Sequence, residues 1–288
     1  AAAALASTLP TLALSQGRKD SIVIGMSLEP PGLDPTAGAA AAIAEIVQYN
    51  VLETLTKINA DGTVTPMLAE SWEVSPDLKT YTFKLRRGVK FQNGEPFNAT
   101  TVKFAFDRAG GEKSTNKDKR TFANLSTQVI DDPKSADTNA TKPIGTGPYK
   151  LESWAKGSSL VLTKWEGFRS PGNAKINKVT FRFIADTAAQ AASLLAGDVD
   201  AFPRAGTRIV PQFKSNPQFQ VILGGSRAKT IVAINNKKKP LDDVRVRRAI
   251  LAALDRKAFI EGAADGFGVP IGSHYVPGAA GYLDTTGI

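Results

Sequence analysis

The chain contains no cysteine. Disulfides, thiolate metal sites and cysteine nucleophiles are therefore excluded together. The absence fits export to an oxidising space without disulfides, although cytosolic proteins can lack cysteine too. Histidine occurs once, at His274, so a His-rich metal site or a His-based proton relay has almost nothing to draw on. No phosphate-loop Lys-Ser/Thr motif occurs. Gly145-Thr146-Gly147 lacks the third glycine of a dinucleotide loop, and Pro148 with a predicted strand stands where a helix should start. Gly224-Gly225-Ser226 is half of a serine-hydrolase elbow with no helix start behind it and only His274 as a base. The pair Asp242-Asp243 is accounted for by helix capping. No acid, base and nucleophile assemble from these parts. The sequence reads as a non-enzyme, with no cofactor and no metal.

What is present is a soluble, globular composition: 288 residues, 42% hydrophobic and 22% charged. That length accommodates two ordinary domains. The 25 glycines and 17 prolines imply many loops, without internal repeats or low-complexity tracts. The net charge of +9 permits contact with anionic surfaces. However, the basic clusters at 117–120, 237–239 and 245–248 fall in different predicted elements, and each reads as solvated surface. Residues 1–15, AAAALASTLPTLALS, are apolar, small and uncharged, and are too short to span a membrane. Residues 1–17 read as the remnant of a secretory signal peptide, with Ala13-Leu14-Ser15 or Ala4-Leu5-Ala6 as cleavage site, or as a disordered Ala-rich tail. On the first reading the mature protein starts within or just after residues 1–20.

Periodicity places the elements. Residues 22–26 form an apolar strand that ends in a Pro- and Gly-rich loop through Asp34-Pro35. The spacing predicts a helix over 43–55 and a hairpin from 71–74 and 80–86, with Tyr81, Phe83 and Leu85 on its core face. Basic residues interleaved with aromatics are a footprint of nucleic-acid binding. The alternation sends the cations and rings to opposite faces, so it argues for packing instead. Asn98 caps a helix beginning at residue 99. A second hairpin spans 149–164 around Lys156-Gly157. Further strands are predicted at 178–184, 199–202, 219–223 and 230–234, a helix at 187–196, and one long helix at 242–262. The mixture indicates α/β architecture with an inserted antiparallel subdomain.

Four segments together carry a resemblance: Leu68-Ala69-Glu70-Ser71-Trp72 continuing through Tyr81-Thr82-Phe83-Lys84-Leu85-Arg86-Arg87-Gly88, Leu33-Asp34-Pro35 behind the first strand, Pro143-Ile144-Gly145-Thr146-Gly147-Pro148-Tyr149, and Pro240-Leu241-Asp242-Asp243-Val244-Arg245 with Asp255-Arg256. In this order they resemble the solute-binding proteins of ABC importers for peptides and nickel, bacterial family 5. The resemblance implies a bilobed, type II periplasmic-binding-protein-like α/β fold that closes on a ligand and delivers it to a membrane permease. Residues 18–50 and 171–205 would form lobe I, 51–170 its extra subdomain, and 206–288 part of lobe II. Two departures stand out. Residues 129–131 run almost directly into Asp132-Pro133-Lys134, where the family has a further helix and strand. The chain also stops soon after the late helix, so the second lobe is expected to be incomplete and prone to self-association.

Candidate ligand residues come from loops at strand ends, where such folds bind. They are Ser27, Leu28, Glu29 and Pro30 after the first strand, small residues at 39–41, with Ala40 and Ala41 leaving room for a ligand, and Ser226, Arg227 and Lys229 between two predicted strands. Arg227 and Lys229 suit an anionic group such as a peptide carboxylate. The expected partners are a peptide or small-molecule ligand and a membrane permease, in the periplasm or another extracytoplasmic space, and no nucleic acid. The rival readings are a truncated relative that no longer transports and a cationic nucleic-acid-binding protein.

Overall fold

The computed structural model describes residues 20–115, 128–225, 228–279 and 281–287. The expected signal segment, Ser226 and Arg227 lie outside the described residues. The chain divides into two compact units, Ala1–Arg204 and Ala205–Ile288.

In the first unit the elements run β1 (Ser21–Met26), α1 (Ala41–Val47), β2 (Thr56–Ile58), β3 (Val64–Pro66), β4 (Ala69–Val74), β5 (Tyr81–Leu85), α2 (Ala99–Gly110), β6 (Tyr149–Ala155), β7 (Ser159–Lys164), β8 (Lys178–Phe183) and α3 (Thr187–Leu195). A four-stranded sheet has the order β1-β8-β7-β6. β1 lies parallel to β8, with Ser21 opposite Lys178 and Met26 opposite Phe183. The β6–β7 hairpin, within the residues expected as the extra subdomain, extends this sheet, because β7 pairs antiparallel with β8 from Ser159↔Arg182 to Thr163↔Lys178. Alternation along β7 buries Leu160 and Leu162. They join Phe181, Met26, Leu33 and the α1 residues Ile43, Ile46 and Val47 in one core.

A second core forms around Phe91, Leu55, Leu68, Val89, Phe97, Ala105 and Ile130. It sits under the two-stranded pair β4–β5 and helix α2. Asn98 caps α2 with a full capping box: its carboxamide accepts from the Thr100 and Thr101 amides, and Thr101 returns a bond to its backbone. Phe83 and Leu85 pack against this core, but Tyr81, at the far end of β5, is 40% exposed and is not part of it.

The helix predicted over 43–55 stops at Val47. Tyr49 takes a positive φ of 65°, and residues 49–51 form a turn in which the Val51 and Leu52 amides both donate to Val47 O, at 2.8 and 2.9 Å. Packing gives the reason: Val51 and Leu52 enter the first core while Leu55 enters the second. A helix would carry all three within one turn or so, too close together to reach both clusters. The turn at 49–51 lies against the Gly-Thr-Gly segment, with Gly147 N donating to Val51 O at 3.0 Å and Tyr149 N to Asn50 O at 2.9 Å. A Cβ on Gly145 would fall 1.9 Å from Val51 O, so only glycine permits this approach.

The second unit holds α4 (Val210–Lys214), α5 (Val244–Ala253) and α6 (Arg256–Ala263). The single helix expected at 242–262 is thus two. Leu254 turns extended, and Asp255 opens the second helix by accepting from the Lys257 and Ala258 amides. Neither helix contains a buried residue. The strands expected at 219–223 and 230–234 pair with nothing among the described residues, and Ile222 and Val232 are 79% and 65% exposed. A strand without a partner ladder has no hydrogen bonds to hold it. The strand expected at 199–202 survives as one parallel bridge, Ile24↔Ala201.

Candidate functional site

β1 delivers its last residues to a loop, 27–40, that leads into α1. Ser27 accepts a hydrogen bond from Gln190 Nε2 of α3 at 3.3 Å, and the same amide donates to Ile184 O at 3.0 Å. Leu28 is 70% exposed. Glu29 is engaged within the protein: its carboxylate accepts from Trp154 Nε1 at 2.9 Å and from the Gly157 amide at 3.0 and 2.9 Å. It thereby fastens the loop to the β6–β7 turn, where Lys156 Nζ lies 3.0 Å from the centre of the Trp154 ring. Pro30 is buried. Ala40 precedes the first turn of α1 and Ala41 begins it, and both are exposed.

The loop is anchored further along by groups that sequence reasoning did not assign to a site. Asp34 is 4% exposed. It accepts from the Thr36 and Ala37 amides at 2.9 and 3.3 Å, and from both terminal nitrogens of Arg108 in α2. Arg108 also reaches Asp131 at 3.0 Å, and Asn139 Nδ2 donates to the other Asp131 oxygen at 2.8 Å. Burial pushes the Asp131 carboxyl up to about 7, against the pull of Arg108 and with reinforcement from Asp34. The neighbouring Asp132 is buried too and accepts from Asn93 Nδ2 at 2.7 Å. A second polar brace centres on Glu53, which accepts from Arg169 at 2.5 and 2.7 Å and from the Thr146 hydroxyl at 2.8 Å. The ion-paired partners in these networks lie 23 to 116 residues apart, so spacing could not reveal them. The available signals were Asp34 and Thr146, which stand inside the family-like segments.

The described part of 27–41 therefore offers an exposed Leu28, a short run of small side chains at 39–41, and two carboxylates already committed to internal partners. Lys229 is exposed and stands in the second unit. Among the described residues no group of His, Asp or Glu could hold a metal ion. No helix among them is long and apolar enough to cross a membrane.

The fold is that of the type II periplasmic binding proteins. Superposition with AgaA of A. tumefaciens R10 in complex with agropinic acid gives a TM-score of 0.77 at 26% identity, over 92% of this chain and 60% of that one. The oligopeptide-binding protein AppA of Bacillus subtilis, bound to a nonapeptide, gives 0.76 at 21% identity and shows the fold alone. Residues 63–135 and 115–287 match the bacterial extracellular solute-binding proteins, family 5 Middle, and the chain belongs to that family. Its members are binding proteins. The glutathione-binding protein GsiB of Salmonella choleraesuis (strain SC-B67) is 30% identical over 94% of this chain and 58% of its own length. GsiB of Escherichia coli K12 is 29% identical over 86% and 55%. The chain thus spans a little over half the length of these relatives.

Proposed function

We infer that the chain recognises a peptide or similar small solute outside the cytoplasm for an ABC importer, passes it to a membrane permease and catalyses nothing itself. The observation that carries this reading is the 27–41 loop. It is tied down at Ser27, Glu29 and Asp34, yet presents Leu28, Ala40 and Ala41 to solvent. A braced loop with small and apolar side chains is a pre-organised wall for the uncharged part of a ligand. Glu29 braces the loop through Trp154 and Gly157. Ser226 is a further ligand candidate, and Arg227 or Lys229 would receive an anionic group of the ligand, the role to which arginine's fork is suited.

Glutathione and short peptides are the first probes, since the relatives are named for binding them. Calorimetry should show saturable binding that a large side chain at Ala40, in Ala40→Trp, abolishes. The double variant Arg227→Ala/Lys229→Ala should lose ~1.5–3 kcal/mol per charged hydrogen bond removed. Affinity should change little with added salt, whereas phosphate-driven nucleic-acid binding would fall steeply. Binding untouched by Ala40→Trp would remove the loop from the site. Affinity only for nucleic acid, lost in salt, would replace the reading altogether.

A further inference from the structure

Two buried carboxylates share one guanidinium beside the candidate loop. Arg108 is held by Asp34 and Asp131 and also donates to Ala136 O at 3.3 Å. Asp131 and Asn139 have no solvent exposure, and Asp34 very little. The charged groups around Asp131 are Arg108 from α2, Asp34 from the β1–α1 loop, and Asp132 next to it in the chain. The Asp132 carboxylate turns away to Asn93 and to the Lys134 amide. Asp137, on the adjoining turn, is exposed. One cation cannot neutralise two ionised carboxylates, so full ionisation leaves a surplus negative charge in a place that water does not reach.

We propose that Asp34, Arg108 and Asp131 form a proton-controlled latch on the loop between β1 and α1. With a proton on Asp131, Arg108 and Asp34 make a balanced pair, and the pair fixes the Thr36 and Ala37 amides through the Asp34 carboxylate. When Asp131 loses the proton, the two carboxylates compete for Arg108 and repel one another, and the latch weakens. The loop is therefore held more firmly in mildly acidic than in alkaline surroundings. The latch requires no ligand and stands apart from the transport reading.

The sign follows from linkage. A carboxyl at about 7 in the folded protein binds a proton that the opened chain, with an ordinary carboxyl, has already released. The resulting stabilisation is complete at acid pH and is lost as pH rises through the folded value. Hydrogen exchange of peptides covering 33–37 and 131–139, corrected for intrinsic rates, tests this. Between about pH 5.5 and about pH 8.5 the opening constant of the wild type should rise about thirtyfold. In Asp131→Asn, which cannot ionise, it should stay flat. That variant loses one acceptor, so it is judged on its pH slope and not on its stability. A flat wild type, or a variant with the wild-type slope, overturns the latch. Should the variant fail to fold, carbon-13 NMR titration of the wild-type Asp131 carboxyl decides. A midpoint near that of ordinary aspartate refutes the proposal, and one near neutrality upholds it.

Discussion

Replacing Gly145 by alanine adds a single carbon at a place where the backbone of another segment leaves no room. The new Cβ would lie 1.9 Å from Val51 O and 2.7 Å from Val51 C, both main-chain atoms that no rotamer change can move. The two segments must part. Their separation strains the bonds that register them, Gly147 N to Val51 O at 3.0 Å and Gln92 N to Gly145 O at 2.9 Å. Forcing extra volume into a closed site costs about 1–3 kcal/mol. Each hydrogen bond weakened adds about 1 kcal/mol. Against this, alanine restricts the unfolded chain and returns about 0.4–1 kcal/mol. The net expectation is a loss of about 2–4 kcal/mol. Urea denaturation, with the m-value unchanged, measures it. Gly172→Ala is the control, because nothing lies within 4 Å of its would-be Cβ and its φ is unexceptional. That variant should fall within about 0.5 kcal/mol of wild type. If Gly145→Ala were equally harmless, or both were equally damaging, the close-approach account of the Gly-Thr-Gly segment would be wrong.

Other consequences can be measured directly. Glu53→Ala strands the Arg169 guanidinium and the Thr146 hydroxyl, and should cost about 3–5 kcal/mol by the same denaturation assay. Asn98→Ala removes the capping box of α2 and should cost ~1 kcal/mol, while Asn98→Ser should recover most of it. Leu251 and Phe259, 55% and 51% exposed on α5 and α6, should drive self-association. Light scattering should show concentration-dependent growth that Leu251→Ser/Phe259→Ser suppresses, and a monomer at all concentrations would contradict it.

The sequence revealed elements whose signals are local. β1, the β6–β7 hairpin, α2 with its Asn98 cap and α3 all lie where alternation, turn residues and capping placed them, and the structure adds Asp186 as the cap of α3. It misled where the outcome depended on distant partners. The run at 48–55 looks helical, yet it leaves the helix by a turn and divides its apolar residues between two cores. Residues 219–223 and 230–234 have the composition of strands but lack a partner ladder among the described residues. The break at Leu254 was legible in Asp255, a good capping residue, but the apolar spacing running through it concealed the signal. For the candidate site, loop position was readable and side-chain engagement was not. Loop position makes Glu29 a ligand candidate, while its hydrogen bonds to Trp154 and Gly157 span 125 and 128 residues and leave no trace in local sequence. The Asp34–Arg108–Asp131 cluster was invisible for the same reason.

The pairing of β1 with β8 also sets a schedule for the growing chain. Ser21 meets Lys178 only after the chain has grown by a further 157 residues. At roughly 5–20 residues per second, that is an interval of about 8–30 s. Throughout it, the first strand waits without the neighbour that completes its ladder. The second core needs no residue beyond Ile144 and can condense while β1 is still waiting. Closure of the main sheet is therefore a late event that joins the ends of the first unit across a long loop, a kind of contact that forms slowly. During that wait the apolar strand is open to any factor that keeps a nascent chain unfolded, and synthesis of β8 ends the opportunity.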